Sequence, residues 1–135
     1  WRENNKSHPL VKKWKFSGVG VVVNDCTKAC EYFSNLGFSI EKEVHESKNL
    51  GVKLCHIKVG SIMFELIQPT TQNSVYKDSF KKRGEGIVHM SFIVEDLTSE
   101  IAGLVSKGAN LLVSTDESAI IDTRREGNTI IRLVQ

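Results

Sequence analysis

The stretch Gly18-Val-Gly-Val-Val-Val-Asn-Asp25 decides the fold, because a second stretch with the same layout, His89-Met-Ser-Phe-Ile-Val-Glu-Asp96, follows it. The second Asp comes 71 residues after the first (96 − 25). Each stretch is a short apolar run typical of a β-strand, and each ends in an Asp that can accept hydrogen bonds from the first N–H groups of a helix. The repeat predicts that one supersecondary unit occurs twice in the chain.

A helix of about three turns is predicted after each of these Asp residues. The first helix ends before Gly37 and the second before Gly108, and a glycine can adopt the left-handed conformation that ends a helix. Apolar residues recur along one face of each helix. They are Cys26, Ala29, Cys30, Phe33 and Leu36 in the first helix, and Leu97, Ile101, Leu104 and Val105 in the second.

Strand-like segments separated by turn residues follow each helix. The segment Gly127-Asn128 is predicted to be a hairpin turn, and Ser74–Lys82 could form one short helix between the halves. Each half therefore has the order βαβββ, and the chain is predicted to be an α+β protein with eight strands and two main helices. The strands after the helices are predicted at Phe38–His45, Val52–Val59, Ile62–Gln68, Asn110–Ser114, Ala119–Arg125 and Thr129–Gln135.

The polar, basic start of the chain has no periodicity, so residues 1–15 are predicted to be a flexible or loosely docked arm. Residues 16–135 are predicted to form one domain, which consists of a first unit (16–69), a linker (70–86) and a second unit (87–135). The 135 residues carry 18 Lys and Arg against 16 Asp and Glu, and a net charge of +2 does not favour nucleic acid or a membrane as partner. The apolar runs are far shorter than the roughly 20 residues that span a bilayer, and we expect a cytoplasmic protein.

Three cysteines, Cys26, Cys30 and Cys55, show no spacing typical of a metal site. The first two lie four residues apart on the apolar face of the first helix. We interpret all three as buried, reduced thiols that pack as small apolar side chains.

Three local segments, combined with the two βαβββ units, resemble a known family: Val44-His-Glu-Ser-Lys-Asn-Leu-Gly-Val-Lys-Leu54, Phe64-Glu-Leu-Ile-Gln-Pro69 and Ser79-Phe-Lys-Lys-Arg-Gly-Glu-Gly-Ile-Val-His89. Residues 16–135 resemble the vicinal oxygen chelate superfamily, which includes glyoxalase I, extradiol dioxygenases, bleomycin-resistance proteins and, as the most similar branch, methylmalonyl-CoA epimerase. The resemblance implies a cupped mixed sheet in which both units line one cavity. It also implies a homodimer.

Members of that superfamily bind a divalent metal on four side chains, one each from the first and last strands of both units. The resemblance places these positions at Gly18, Glu65, His89 and Arg132. Glu65 and His89 are retained, whereas Gly18 has no side chain and Arg132 stays protonated without a free lone pair. The resemblance therefore implies no tightly bound cofactor, and a divalent metal (Co, Ni, Zn or Mg) could be held only weakly.

Strand alternation predicts that Arg132 faces the same cavity as Glu65 and His89. In one interpretation Arg132 and Glu65 form an ion pair with His89 hydrogen-bonded beside them. In the other, Arg132 also binds a carboxylate or phosphate of a ligand, and His89 and Glu65 act as catalytic acid and base. His45 and His56 lie in neighbouring predicted strands and are interpreted as partly exposed strand residues.

Two classes of function follow from the altered positions. The first is a metal-poor isomerase (an epimerase) or lyase that acts on a small carboxylate or acyl thioester. The second is a protein that binds or sequesters a small molecule without turnover, as bleomycin-resistance proteins do. Ligand binding in the shared cavity is common to both, and the sequence slightly favours the enzyme.

Overall fold

Eight strands form one mixed sheet in the part of the chain that the computed structural model describes, residues 11–135. The strands are β1 (Lys15–Val22), β2 (Ser39–Ser47), β3 (Val52–Val59), β4 (Ile62–Pro69), β5 (Gly86–Ile93), β6 (Asn110–Ser114), β7 (Ser118–Asp122) and β8 (Ile130–Val134). The helices are α1 (Cys26–Asn35), α2 (Val75–Arg83), α3 (Leu97–Ser106) and α4 (Arg124–Gly127). The predicted α+β fold of two βαβββ units is confirmed.

The two units join through their first strands, because the strand order is β2-β3-β4-β1-β5-β8-β7-β6. Strand β1 is parallel to β4 and antiparallel to β5, and β5 is parallel to β8. Asp25 accepts a hydrogen bond from the Lys28 N–H at the start of α1, and Asp96 accepts one from the Ser99 N–H at the start of α3. Both predicted helix starts are thereby confirmed.

The two faces of the sheet carry separate apolar cores. On the convex face, α1 and α3 cover the outer strands of their own units, and the three cysteines, two of them on α1 and one on β3, are buried between helix and sheet as free thiols. On the concave face, Tyr76 of α2 packs against strand residues of both units, so this core joins the two halves. Its buried members are Val22, Val52, Leu54, Ile67, Tyr76, Val88, Ile120 and Ile130.

The last residues of the predicted arm contact the sheet. Val11–Lys13 forms a short 3₁₀ helix, β1 already begins at Lys15, and the ring of Trp14 packs 5.7 Å from that of Phe92. This aromatic contact holds the residue before β1 against β5. The rest of the arm, residues 1–10, lies outside the described residues.

The predicted hairpin turn at Gly127-Asn128 is wrong. Strand β7 ends at Asp122, and Arg124–Gly127 forms the short helix α4 before Asn128, which has a left-handed φ of 55°. The cause is local: the Asp122 carboxylate accepts hydrogen bonds from both the backbone N–H and the Nε of Arg124, which turns the chain into a helical conformation. None of the helices in residues 11–135 is long and apolar enough to cross a membrane.

Candidate functional site

A row of polar residues crosses the concave face at the centre of the sheet. Strand pairing places His56 of β3 opposite Glu65 of β4, Glu65 beside Gly20 of β1, and Gly20 opposite His89 of β5. Residues paired across neighbouring strands point to the same face. The row therefore brings two imidazoles and one carboxylate together, with a glycine between Glu65 and His89.

Arg132 completes this group from β8. Its Nη1 donates a hydrogen bond to Glu65 Oε1 across 2.6 Å, and the two side chains are 19% and 9% exposed. Arg132 faces the same side as Glu65, and the ion pair of the first interpretation is present and largely buried. A guanidinium lies where the superfamily resemblance places the fourth metal ligand.

Glu65 also contacts both imidazoles of the row. His56 Nε2 lies 3.3 Å from Oε2, and His89 Nε2 lies 3.6 Å from Oε1. Burial alone would raise the pKa of Glu65, but His56, His89 and the charge of Arg132 together outweigh it and hold that pKa well below its ordinary value. Glu65 is therefore an ionised carboxylate surrounded by three nitrogen-bearing side chains.

His89 is the most enclosed member of the site. Its side chain is fully buried, and Tyr76 Oη of α2 lies 3.1 Å from its Nδ1. Burial raises the pKa of Tyr76, so its hydroxyl stays protonated and can donate a hydrogen bond to Nδ1. The Nε2–H of His89 then points toward Glu65, at a distance that makes an electrostatic contact rather than a hydrogen bond.

Gly20 makes room for the His89 ring. A Cβ added to Gly20 would lie 2.3 Å from Cε1 of His89 and within 2.6 Å of both ring nitrogens. The imidazole therefore lies directly across the backbone of β1, and any side chain at this position would displace it.

Gly18, the predicted site of the missing first ligand, pairs with Met63 and Ser91 rather than with Glu65 and His89. A Cβ added to Gly18 would lie 1.8 Å from the Met63 carbonyl oxygen. The backbone of β1 therefore leaves no room for a side chain at this position.

The residues present do not fit the metal site of the superfamily. Two of the four family positions hold Glu65 and His89, but the Glu65 carboxylate is already paired with a cation, Arg132. Across residues 11–135, no group of three or more His, Cys, Asp and Glu side chains is arranged to hold a metal ion. Glu65, His89 and His56 are the donors that a weakly bound ion would have to use.

A cavity of about 290 Å³ opens beside Arg132. Its walls come from both units: the β2–β3 turn of the first unit, and the β6–β7 turn with the end of β8 from the second. Hydroxyl and amide side chains predominate in this lining. The lining residues are Ser47, Asn49, Leu50, Thr115, Glu117, Ser118, Arg132, Val134 and Gln135.

Sequence reasoning missed two members of the site, His56 and Tyr76. His56 is partly exposed, as expected for a strand residue, but it also contacts Glu65. His45 packs edge-on against His56 at 5.7 Å and contacts the Glu43 carbonyl, and no contact between it and Glu65 is seen in the described residues. Tyr76 reaches the site only because α2 docks on the concave face.

The fold is that of a known superfamily. A family model described as "Glyoxalase/Bleomycin resistance protein/Dioxygenase superfamily" matches residues 18–124, so the chain belongs to this superfamily. The match ends before Arg132. The uncharacterized protein YqjC of Bacillus subtilis is 27% identical over 97 residues, which cover 70% of this chain and 67% of that protein.

Solved structures of methylmalonyl-CoA epimerases share the fold. The enzyme from Mycobacterium tuberculosis is 25% identical with a TM-score of 0.75, and the alignment covers 88% of this chain and 85% of that chain. A variant of the Streptomyces coelicolor enzyme, in complex with 2-nitronate-propionyl-CoA, is 20% identical with a TM-score of 0.75, covering 89% of this chain and 95% of that chain.

Proposed function

We propose that this protein binds a small carboxylate or acyl thioester at the mouth of its cupped sheet, with Arg132 as the anion-binding residue. One observation carries the proposal: Arg132 lies between the buried Glu65 carboxylate and the cavity of about 290 Å³. A guanidinium has five N–H donors, and the Glu65 contact uses one. The remaining donors leave Arg132 able to bind a second carboxylate group.

The unpaired nitrogens of the site support a ligand that brings acceptor atoms. His56 Nε2, His89 Nε2 and Arg132 Nε are buried and, among the described residues, have no hydrogen-bond partner. Among the described residues, the Glu65 carboxylate accepts its hydrogen bond from Arg132 Nη1, and the geometry leaves these three nitrogens unpaired. Of these three residues Arg132 lines the cavity, so an oxygen-rich anion bound there would supply acceptors to its guanidinium.

We further propose that the site works without a tightly bound metal, because Arg132 supplies the positive charge. A divalent ion about 4 Å from the guanidinium would be repelled by roughly 8 kcal/mol at an effective dielectric constant near 20. Glu65, His89 and His56 together offer three potential metal ligands, one fewer than the four-residue site of the superfamily.

Binding without turnover is the function that the geometry supports best. His89 is fully buried, Tyr76 lies 3.1 Å from its Nδ1, and it does not line the cavity, so this arrangement offers no direct contact between His89 and a ligand bound there. The lowered pKa of Glu65 makes its carboxylate a weak base toward a carbon-bound proton. An isomerase related to methylmalonyl-CoA epimerase remains the second candidate, favoured by the structural similarity to those enzymes and by Glu65 and His89 as acid and base.

Calorimetric titration with methylmalonyl-CoA, propionyl-CoA and methylmalonate tests the proposal. We expect Arg132→Gln to weaken binding of the anionic ligand by about 10-fold or more, because a charge-assisted bond is lost. Arg125→Gln is the matched control, since Arg125 is 94% exposed at its side chain and lies outside the cavity lining. Equal affinities for wild type and Arg132→Gln would refute the assigned role.

Exchange of the α-proton of methylmalonyl-CoA in deuterated water separates the two candidates. We expect exchange at the rate of the protein-free buffer. Exchange at an enzymatic rate that is lost in His89→Gln would instead establish the isomerase and exclude binding without turnover.

A further inference from the structure

The cavity beside Arg132 contains a second charged side chain, that of Glu117. This residue lies in the turn between β6 and β7, and its side chain is exposed to solvent. Among the described residues that line the cavity, Arg132 is the one cation and Glu117 the one anion, and the others are neutral. The wall of the cavity therefore offers one group of each charge to a ligand.

Hydrogen bonds hold the turn that carries Glu117. The Thr115 N–H donates to the Ser118 carbonyl oxygen across 2.8 Å. The Thr115 hydroxyl oxygen accepts from the backbone N–H groups of Glu117 and Ser118, at 3.3 and 3.0 Å. The Gln135 N–H donates to the Glu117 carbonyl oxygen across 3.2 Å. The backbone of Glu117 is therefore ordered before a ligand binds, which lowers the entropic cost of using its carboxylate.

Strand pairing sets the separation of the two charged residues. Arg132 of β8 pairs with Ile120 of β7, and Glu117 comes three residues before Ile120 in the chain. Because a strand rises about 3.3 Å per residue, the backbones of Arg132 and Glu117 lie roughly 10 Å apart along the strand direction. A ligand that contacts both side chains therefore needs its two charged groups at opposite ends of the molecule.

The balance of charge around the cavity favours a ligand that carries a cationic group. Arg132 is already paired with the ionised carboxylate of Glu65, so these two charges offset each other. None of the ion pairs within residues 11–135 includes Glu117, and its carboxylate leaves the cavity with a net negative charge. A ligand with only carboxylate groups adds to that charge, whereas an ammonium group beside Glu117 offsets it.

We propose that the ligand of this cavity is a small ω-amino acid, with its carboxylate on Arg132 and its ammonium group on Glu117. The inference rests on the proposed function, because the carboxylate end uses the same guanidinium. The cavity of about 290 Å³ lies at the lower end of the roughly 300–1,000 Å³ that is usual for small-molecule sites, which favours a ligand of amino-acid size. Glu117 then determines specificity, since it distinguishes an amino acid from a simple carboxylic acid.

Calorimetric titration of the full chain with three five-carbon probes tests the proposal. The probes are δ-aminovalerate, valerate and glutarate, which carry an ammonium group, a methyl group and a second carboxylate at the end opposite the first carboxylate. We expect δ-aminovalerate to bind about 5-fold more tightly than valerate and more tightly than glutarate. The factor is modest because Glu117 is exposed, and exposed ion pairs are weak.

Glu117→Gln should weaken δ-aminovalerate about 5-fold, to the affinity of valerate, without weakening valerate itself. Asp116→Asn is the matched control, because Asp116 is an exposed acid in the same turn but outside the cavity lining, and this variant should keep the preference. Circular dichroism checks that both variants are folded, as expected for substitutions at exposed positions.

The possible failures of the two proposals are distinguishable. If wild type binds δ-aminovalerate no more tightly than valerate, and Arg132→Gln weakens both, the ω-amino acid is refuted while the anion-binding role of Arg132 stands. A preference for δ-aminovalerate that persists in Glu117→Gln would likewise refute the role of Glu117 alone. Absence of δ-aminovalerate binding would overturn the inference, and binding of both probes that is unchanged in Arg132→Gln would refute both proposals.

Discussion

Replacing Arg132 by Met removes the positive charge from the centre of the site while keeping most of the aliphatic part of the side chain. The Glu65 carboxylate, 9% exposed, then loses a hydrogen bond of 2.6 Å and its ionic partner. Because the buried carboxylate stays behind, the cost is larger than the net contribution of the pair itself.

The magnitude follows from the surroundings of Glu65. Removing one partner of a fully buried ion pair costs about 3–5 kcal/mol. Arg132 keeps 19% of its side chain exposed, and His56 and His89 remain 3.3 and 3.6 Å from the carboxylate, so we reduce the expected loss to about 2–3 kcal/mol at neutral pH. The double variant Glu65→Gln with Arg132→Met leaves no unpaired charge and should recover to within about 1 kcal/mol of wild type.

Urea unfolding followed by circular dichroism measures these free energies, with Arg125→Met as a surface control expected within about 0.5 kcal/mol of wild type. The reasoning would be refuted if Arg132→Met unfolded at the same urea concentration as Arg125→Met. It would also be refuted if the double variant lost the sum of the two single effects, since contacting charges must show coupling.

Three further predictions concern the same site. Gly20→Ala should lower the free energy of unfolding by about 1–3 kcal/mol, because its Cβ meets the His89 ring. Gly103→Ala is the control: its added Cβ has no atom within 4 Å, and it should stabilise α3 slightly. Equal urea midpoints for the two variants would contradict this prediction. Tyr76→Phe should cost about 1–3 kcal/mol by leaving His89 Nδ1 without its partner, and an unchanged His89 imidazole NMR spectrum would contradict the contact. Folding lowers the pKa of Glu65, so its ionised form stabilises the protein fully above the unfolded value of 4.5, and this stability is lost as the pH falls through the lower folded pKa. The difference in unfolding free energy between wild type and Glu65→Gln should therefore be constant from pH 7 to about 5 and shrink at lower pH. An increase in this difference as the pH falls below 5 would contradict the prediction.

Local signals in the sequence are sufficient for most of the fold. Asp25 and Asp96 cap their helices as predicted, because an Asp carboxylate accepts hydrogen bonds from the unpaired N–H groups of the first helical turn. The predicted hairpin turn at Gly127-Asn128 fails because the Asp122 side chain hydrogen-bonds Arg124 and the chain forms α4 instead.

The residues of the site that lie on strands could be predicted from strand alternation and pairing. Alternation places Arg132 with Glu65, and the two-residue turn Gly60-Ser61 pairs Val59 with Ile62, which sets His56 opposite Glu65. The sequence therefore contains the signal that places His56 beside Glu65. Tyr76 is different in kind: its contact with His89 depends on where α2 docks, and no spacing in the chain specifies that position.

The most direct test of the central claim, that Arg132 takes the place of a metal ion beside Glu65, is thermal melting of the purified protein with and without millimolar cobalt chloride. A ligand present at about 100 times its dissociation constant stabilises the folded state by roughly 2.7 kcal/mol, which is easily measured as a rise in Tm. We predict no rise. A rise of several degrees in wild type that disappears in both Glu65→Gln and His89→Gln would contradict the claim.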